Sequence, residues 1–279
     1  MKSCLPAFLP VVLGLIIASP AAAGDLSAGS SVAAEAAASV DDLTLDPVPW
    51  RFAITPYLWV PGQHGDVTVR GRTGTVDMDV WDTLDLLTED FNAALVFHAE
   101  ASKGPLAIFF DAMYLNLEGG KDTPAGTATA SYTQGFYELG ASYATMGNPA
   151  AATDSDRAKF TLEPLGGIRV YQLDMDIVGP AGNVQASGSE TWADAFVGIR
   201  GSARVSETCA LFARGDIGAG GSDLAWNIYA GLTVKLASWF SLEGGYRWMD
   251  IDYSDGSGTD QVAYDMRLDG PFLGMTFRF

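Results

Sequence analysis

The end of this chain constrains its fold more than any other stretch. Leu273, Met275, Phe277 and Phe279 alternate with Phe272, Gly274, Thr276 and Arg278, so one face of an extended strand is wholly apolar as far as Phe279. Successive side chains of a strand point to opposite faces, and a row of large apolar groups is costly to leave in water. The row therefore needs a surface to meet, and acyl chains outside a membrane-spanning strand are one such surface.

The same alternation runs upstream from Trp50 in stretches separated by turn residues, and it predicts a single domain over 50–279. Ten strands are expected: 50–60, 91–102, 105–116, 128–146, 160–174, 191–204, 209–217, 223–236, 239–253 and 263–279. Phe52, Ile54, Leu58 and Val60 share one face of the first; Leu224, Trp226, Ile228, Ala230, Leu232, Val234 and Leu236 form the most regular row, on the eighth. An antiparallel up-and-down transmembrane β-barrel satisfies these patterns, with the apolar faces turned to lipid and an even strand count that returns both termini to one side. Twelve strands result if 66–70 and 73–80, joined at Gly71-Arg72, enter the wall; the reading preferred here makes them a hairpin in a long first loop. Eight would require two weaker strands to merge. Trp50, Tyr143, Trp226 and Trp248 fall toward strand ends, as interfacial girdles do. A water-soluble barrel also alternates, but with its apolar face inward.

Other features fit export. Lys2 precedes an apolar stretch from Leu5 to Ile17 and the small residues Ser19 to Gly24, the pattern of a secretory signal peptide over 1–23 cleaved after Ala23. Residues 24–49 hold mainly Ala, Ser, Asp and Glu and are expected to be a disordered periplasmic leader. Cys4 leaves with the signal, so the mature chain keeps only Cys209 and forms no internal disulfide. The net charge of -18, with no basic stripe, argues against a nucleic-acid partner.

Two resemblances follow from particular residues. Gly274, Phe277 and Phe279 resemble the C-terminal insertion signal that the barrel-assembly machinery of Gram-negative outer membranes reads, with Phe272 departing from its polar slot. The runs Gly215-Asp216-Ile217-Gly218, Gly221-Ser222-Asp223 with Trp226, Gly245-Tyr246-Arg247 with Asp250, Asp252 and Tyr253, and Gly270-Pro271 before Gly274 resemble a family of small proteobacterial outer-membrane β-barrel proteins of uncharacterised activity. Pro56-Tyr57-Leu58-Trp59, Trp192 with Asp194, and Gly198 with Arg200 fit the same pattern. The resemblance implies an outer-membrane location, and with it contact with outer-membrane lipids and lipopolysaccharide; it implies no chemistry.

With this parity the lumen receives Arg51, Arg169, Arg200, Arg214, Lys235, Arg247 and Arg278 against Glu100, Asp111, Glu138, Glu163, Asp194, Asp216 and Glu243, together with His98. Charges removed from water persist when paired and hydrogen-bonded, so a network that braces and plugs the interior is expected, with a structural or narrow-transport role. The same ladder can instead line a small pore, and inward Trp59, Phe109, Phe136, Trp192, Phe196 and Phe272 a hydrophobic-solute channel. A lipid- or peptide-modifying enzyme is the remaining class, but the mature chain has only His64 and His98, and no serine nucleophile is identifiable beside either. No catalytic residue, cofactor or protein-ligated metal is expected. Asp250 to Gly256 imitates a calcium loop superficially, with Gln261 where a bidentate Glu belongs. Asp77, Asp79, Asp82, Asp85, Glu89 and Asp90 make the external loops acidic enough to attract divalent cations.

Overall fold

The computed structural model describes residues 48–279 apart from 70, 90, 124–125, 148–158 and 179–183. The predicted signal peptide and all but the last two residues of the predicted leader lie outside the described residues.

Among the described residues twelve strands and one α-helix follow in chain order: β1 Arg51–Trp59, β2 Gly62–Val69, β3 Arg72–Met78, α1 Val80–Glu89, β4 Phe91–Lys103, β5 Leu106–Thr123, β6 Gly126–Tyr143, β7 Phe160–Val178, β8 Val184–Arg204, β9 Cys209–Gly220, β10 Leu224–Lys235, β11 Phe240–Asp255 and β12 Val262–Arg278, with a 3-10 turn at Gly258–Asp260. From β4 to β12 each strand pairs antiparallel with the next. β1 pairs with β4 on one side, Arg51 opposite Ser102, and with β12 on the other, Ala53 opposite Arg278, which closes a transmembrane up-and-down barrel of ten strands.

β2 and β3 form the hairpin of the first loop. β2 continues the line of β1 and pairs with the outer half of β12, from Asp269 opposite Gly62 to Val262 opposite Val69, while β3 pairs with β2. Between β1 and β2 the chain kinks at Pro61, which has no N–H to give a ladder. There the backbones of the two segments come so close that a Cβ on Gly270 would sit 2.0 Å from the Val60 carbonyl oxygen. Val60 is buried in this kink, so its predicted lipid-facing position is corrected: β1 ends one residue earlier, at Trp59.

Apart from Val60, the described residues confirm the parity of the strand faces. Phe52, Leu58, Ile168, Val197, Ile228, Leu232 and Leu273 all lie on the outer surface, each at least 40% exposed, while Glu138, Arg169 and Asp216 are buried inside. Trp50, Tyr143 and Trp239 are exposed at the end where β1 starts and β12 finishes, here called the short-turn end after the turns at Gly104-Pro105, 205–208 and 236–239. Trp248, on β11, is exposed toward the opposite end.

Several strands outrun their expected limits. β5 reaches Thr123, β7 reaches Val178 and β8 starts at Val184. On β11 and β12 the reason is visible: past Trp248 the outward side chains become Asp250 and Asp252, and the inward ones Met249, Ile251 and Tyr253. β12 likewise turns Asp265, Arg267 and Asp269 outward and buries Tyr264, Met266 and Leu268. Carboxylates do not face acyl chains, so here the wall has left the membrane and continues as a water-facing barrel with an apolar centre.

Candidate functional site

Three layers fill the described interior. At the extended end lies an apolar core of Trp59, Met113, Phe136, Tyr171, Trp192, Ala225, Met249, Ile251, Tyr253, Tyr264, Met266 and Leu268. Trp192 is its centre, stacked on Tyr171 at 5.0 Å and on Tyr253 at 4.0 Å between ring centroids. Three polar atoms in this layer find partners, Trp192 Nε1 donating to Ser222 Oγ, Trp59 Nε1 to the Gly270 carbonyl and Gln134 Nε2 to Tyr264 Oη, whereas the buried Tyr171 Oη and Gln134 Oε1 have none among the described residues.

Below it, four charges close a ring. Arg169 donates from Nε to Glu138 at 2.8 Å and from Nη2 to Asp216 at 2.6 Å; Arg214 donates from Nε to Asp216 and from Nη2 to Glu138, both at 2.8 Å. Each carboxylate thus takes both arginines, and each guanidinium both carboxylates, which is the pairing that makes buried charge tolerable. The ring runs on around the wall: Asn227 Nδ2 donates to Asp216, Arg247 Nε to Asn227 and Nη1 to Tyr57 Oη, and Tyr57 Oη to Asp111 at 2.9 Å. Phe109 and Phe196 lie against the Arg214 guanidinium at 5.1 and 5.3 Å.

A second network sits closer to the short-turn end. Arg200 donates to Glu100 at 2.5 Å and to Glu163 at 2.8 Å, and Ser142 Oγ also donates to Glu163. His98 Nδ1 is 3.3 Å from Asp111, and its Nε2 is 3.9 Å from Glu100. A cavity of about 320 Å³ opens below, with Phe212, Tyr229 and Phe272 on one side and His98, Glu100 and Arg200 among its other lining residues. Arg51, Arg204, Lys235 and Arg278 line the wider space beyond it, about 700 Å³, at the mouth.

The charged residues expected in one lumen network fall into two groups: Glu138, Arg169, Arg214, Asp216, Arg247 and Asp111 join through the ring, and Glu100, Glu163, Arg200 and His98 form the second, linked to the first where His98 meets Asp111 at 3.3 Å. Asp194 belongs to neither: its Oδ1 accepts the backbone N–H groups of Gly221 and Ser222 and so fastens the β9–β10 turn, although the ladder sets it opposite Arg169. Glu243 accepts from Thr276, and Arg278 donates to Ser241. Tyr57 and Asn227 are ring members not singled out from the sequence, although the inward parity of Tyr57 was legible on its strand; their neutral side chains carried no charge signal. Arg204 was also not singled out, although it ends the expected strand on the same face, four positions past Arg200.

Among the insertion-signal residues, Phe277 packs on Phe240 at 5.3 Å, Phe279 is exposed, and a Cβ on Gly274 would meet Tyr57 at 3.1 Å. In the first loop, Asp79 and Asp82 cap α1: Asp79 Oδ1 accepts the N–H groups of Trp81 and Asp82, and Asp82 Oδ2 accepts that of Asp79. Asp77 bonds His64 at 2.8 Å. Asp250 to Asp255 continues β11. Beyond the membrane belt, partial burial and then the carboxylates of Asp265, Asp223 and Asp250 raise the Asp252 carboxyl above its ordinary range. No three His, Cys, Asp or Glu side chains among the described residues are gathered as metal ligands.

No protein-family description matches the sequence, and no curated protein does. Solved structures of similar fold include the outer membrane protease OmpT from Escherichia coli, 10% identical, with a TM-score of 0.46 over 85% of this chain and 99% of that one. The translocator domain of the autotransporter NalP from Neisseria meningitidis is 15% identical, with a TM-score of 0.35 over 89% of this chain and 97% of that one. A major outer membrane protein from Thermus thermophilus is 10% identical, with a TM-score of 0.38 over 83% and 100%. The likeness is one of fold alone: a closed antiparallel barrel of the outer-membrane kind.

Proposed function

We propose that this protein is an integral outer-membrane barrel with a closed lumen and a structural role, its short-turn end toward the periplasm and its acidic, extended end outside the cell. The observation that supports this reading is the ring of Glu138, Arg169, Asp216 and Arg214. All four side chains are at most 4% exposed, and the apolar core stands above them. A permeating ion would have to break several charge-assisted hydrogen bonds and then cross a dry layer, two barriers in series.

In the same reading the chain reaches the periplasm by a signal cleaved after Ala23, and Gly274, Phe277 and Phe279 are presented to the assembly machinery. The outward carboxylates Asp223, Asp250, Asp252 and Asp265 attract divalent cations loosely, next to lipopolysaccharide phosphates. His98 serves as a lumen brace, hydrogen-bonded to Asp111 at 3.3 Å.

Planar-bilayer recording tests the closed lumen. Purified protein is expected to give at most small, rare conductance steps. Frequent steps of porin size would overturn the reading in favour of a pore.

A further inference from the structure

The mouth at the short-turn end is a basic concavity in a chain whose net charge is -18. Arg51 on β1, Arg204 on β8, Lys235 on β10 and Arg278 on β12 line it, against two side-chain carboxylates, Glu207 in the β8–β9 turn and Glu100, which Arg200 already holds at 2.5 Å; Phe279 lines it too. Arg51 and Arg278 have no carboxylate partner among the described residues; Arg278 donates only to the Ser241 hydroxyl, at 2.9 Å. Because Ala53 stands opposite Arg278, Arg51 and Arg278 are diagonal neighbours on the inner faces of adjacent strands.

The space narrows inward to the 320 Å³ cavity, where Phe212, Tyr229 and Phe272 form an aromatic wall with each pair of centroids 6.2 Å apart. Phe212 and Arg278 line both spaces, so the charged mouth and the aromatic wall are continuous. Guanidinium forks match planar oxyanions, and a concave site with low-dielectric walls focuses their potential.

We propose that this vestibule binds a small organic anion with an apolar ring: its carboxylate or phosphate sits between Arg51 and Arg278, and its ring lies on the Phe212–Tyr229–Phe272 wall. Such a ligand enters from the short-turn side and goes no farther than the Arg200 and Arg214 networks. The site does not depend on whether the lumen conducts, so binding and conductance fail separately.

Isothermal titration of the detergent-solubilised barrel with benzoate and with phenyl phosphate, against benzyl alcohol and benzylamine, tests the proposal. At least one anion is expected to bind on the order of tenfold or more tighter than either control, and the R51Q/R278Q double variant to lose at least about tenfold in affinity for it. Which anion binds tighter identifies the oxyanion. A second measurement needs no variant: raising NaCl from about 50 to about 500 mM should weaken binding to the unaltered protein several-fold. Binding of benzylamine or benzyl alcohol as tight as that of the anions would overturn the proposal. Unchanged affinity in the folded double variant or in high salt, or no heat from either anion, would do the same.

Discussion

At the scale of single residues, Arg169 shows how a side chain's direction and its partners are separate questions. Period-two alternation is enough to send Arg169, Glu138, Arg214 and Asp216 inward. It is silent on who pairs with whom, because an arginine reaches past its ladder neighbour. Arg169 stands opposite both Glu138 and Asp194 in the ladders, yet it bonds Glu138 and the more distant Asp216. Arg200 and Arg214, like charges placed directly opposite, diverge: one turns to Glu100 and Glu163, the other to Glu138 and Asp216. Fully buried, with Nε given to Glu138 and Nη2 to Asp216, Arg169 is expensive to remove, because two buried carboxylates would then share Arg214. Arg169→Ala should lower the free energy of unfolding by about 3–5 kcal/mol. Arg169→Lys should recover part of that, since an ammonium keeps the charge without the fork. Urea titrations followed by tryptophan fluorescence in micelles would measure both.

Among the elements, the useful signal is where polarity reverses along a strand whose parity does not. β11 has Leu242 and Trp248 outside and Glu243 and Arg247 inside, then Asp250 and Asp252 outside and Ile251 and Tyr253 inside. Both halves alternate, so the sequence reveals a strand throughout; only the change of sign marks where lipid gives way to water. The expected limits of the third, fifth and sixth strands fall short because the row of large apolar residues that marks a lipid-facing strand in the sequence stops before the strands do. Val60 was misplaced for a different reason: the kink at Pro61 rests on the close approach of Gly270, a contact more than two hundred residues away in sequence. A cation is costly inside the lipid-facing belt and cheap outside it. Ile228→Lys, in the middle of the β10 row, should cost about 2–4 kcal/mol of folding free energy in a bilayer. Asp265→Lys, outward on β12 beyond the belt, should stay within about 0.5 kcal/mol. Equilibrium folding into lipid vesicles compares the two, and equal penalties would place the boundary elsewhere.

For the whole molecule, closure depends on β1 taking both seams, and the first loop adds to the barrel without completing it. Ring pairing passes directly from β12 to β1 to β4, whereas β2 reaches only the outer half of β12 and β3 pairs with β2 alone. Helix α1 then carries the chain from β3 to β4, fastened by Thr83, whose Oγ1 donates to the Pro61 carbonyl at 2.7 Å. This arrangement separates a wall of ten strands from one of twelve by deletion. Replacing 62–89 with a short Asn-Gly-containing turn removes the hairpin and α1 but no ring strand. It also uncovers the outer edge of β12 and the part of the apolar core that Val67 and Val76 touch, so stability should fall. The ten-strand ring should nevertheless close, and the variant should keep the faster migration of an unheated barrel on a denaturing gel. Removing 91–123, which takes out β4 and β5, leaves β1 facing β6 with no established register, and that variant should lose the fast-migrating form. Loss of the form in the first variant as well would mean that β2 and β3 belong to the wall.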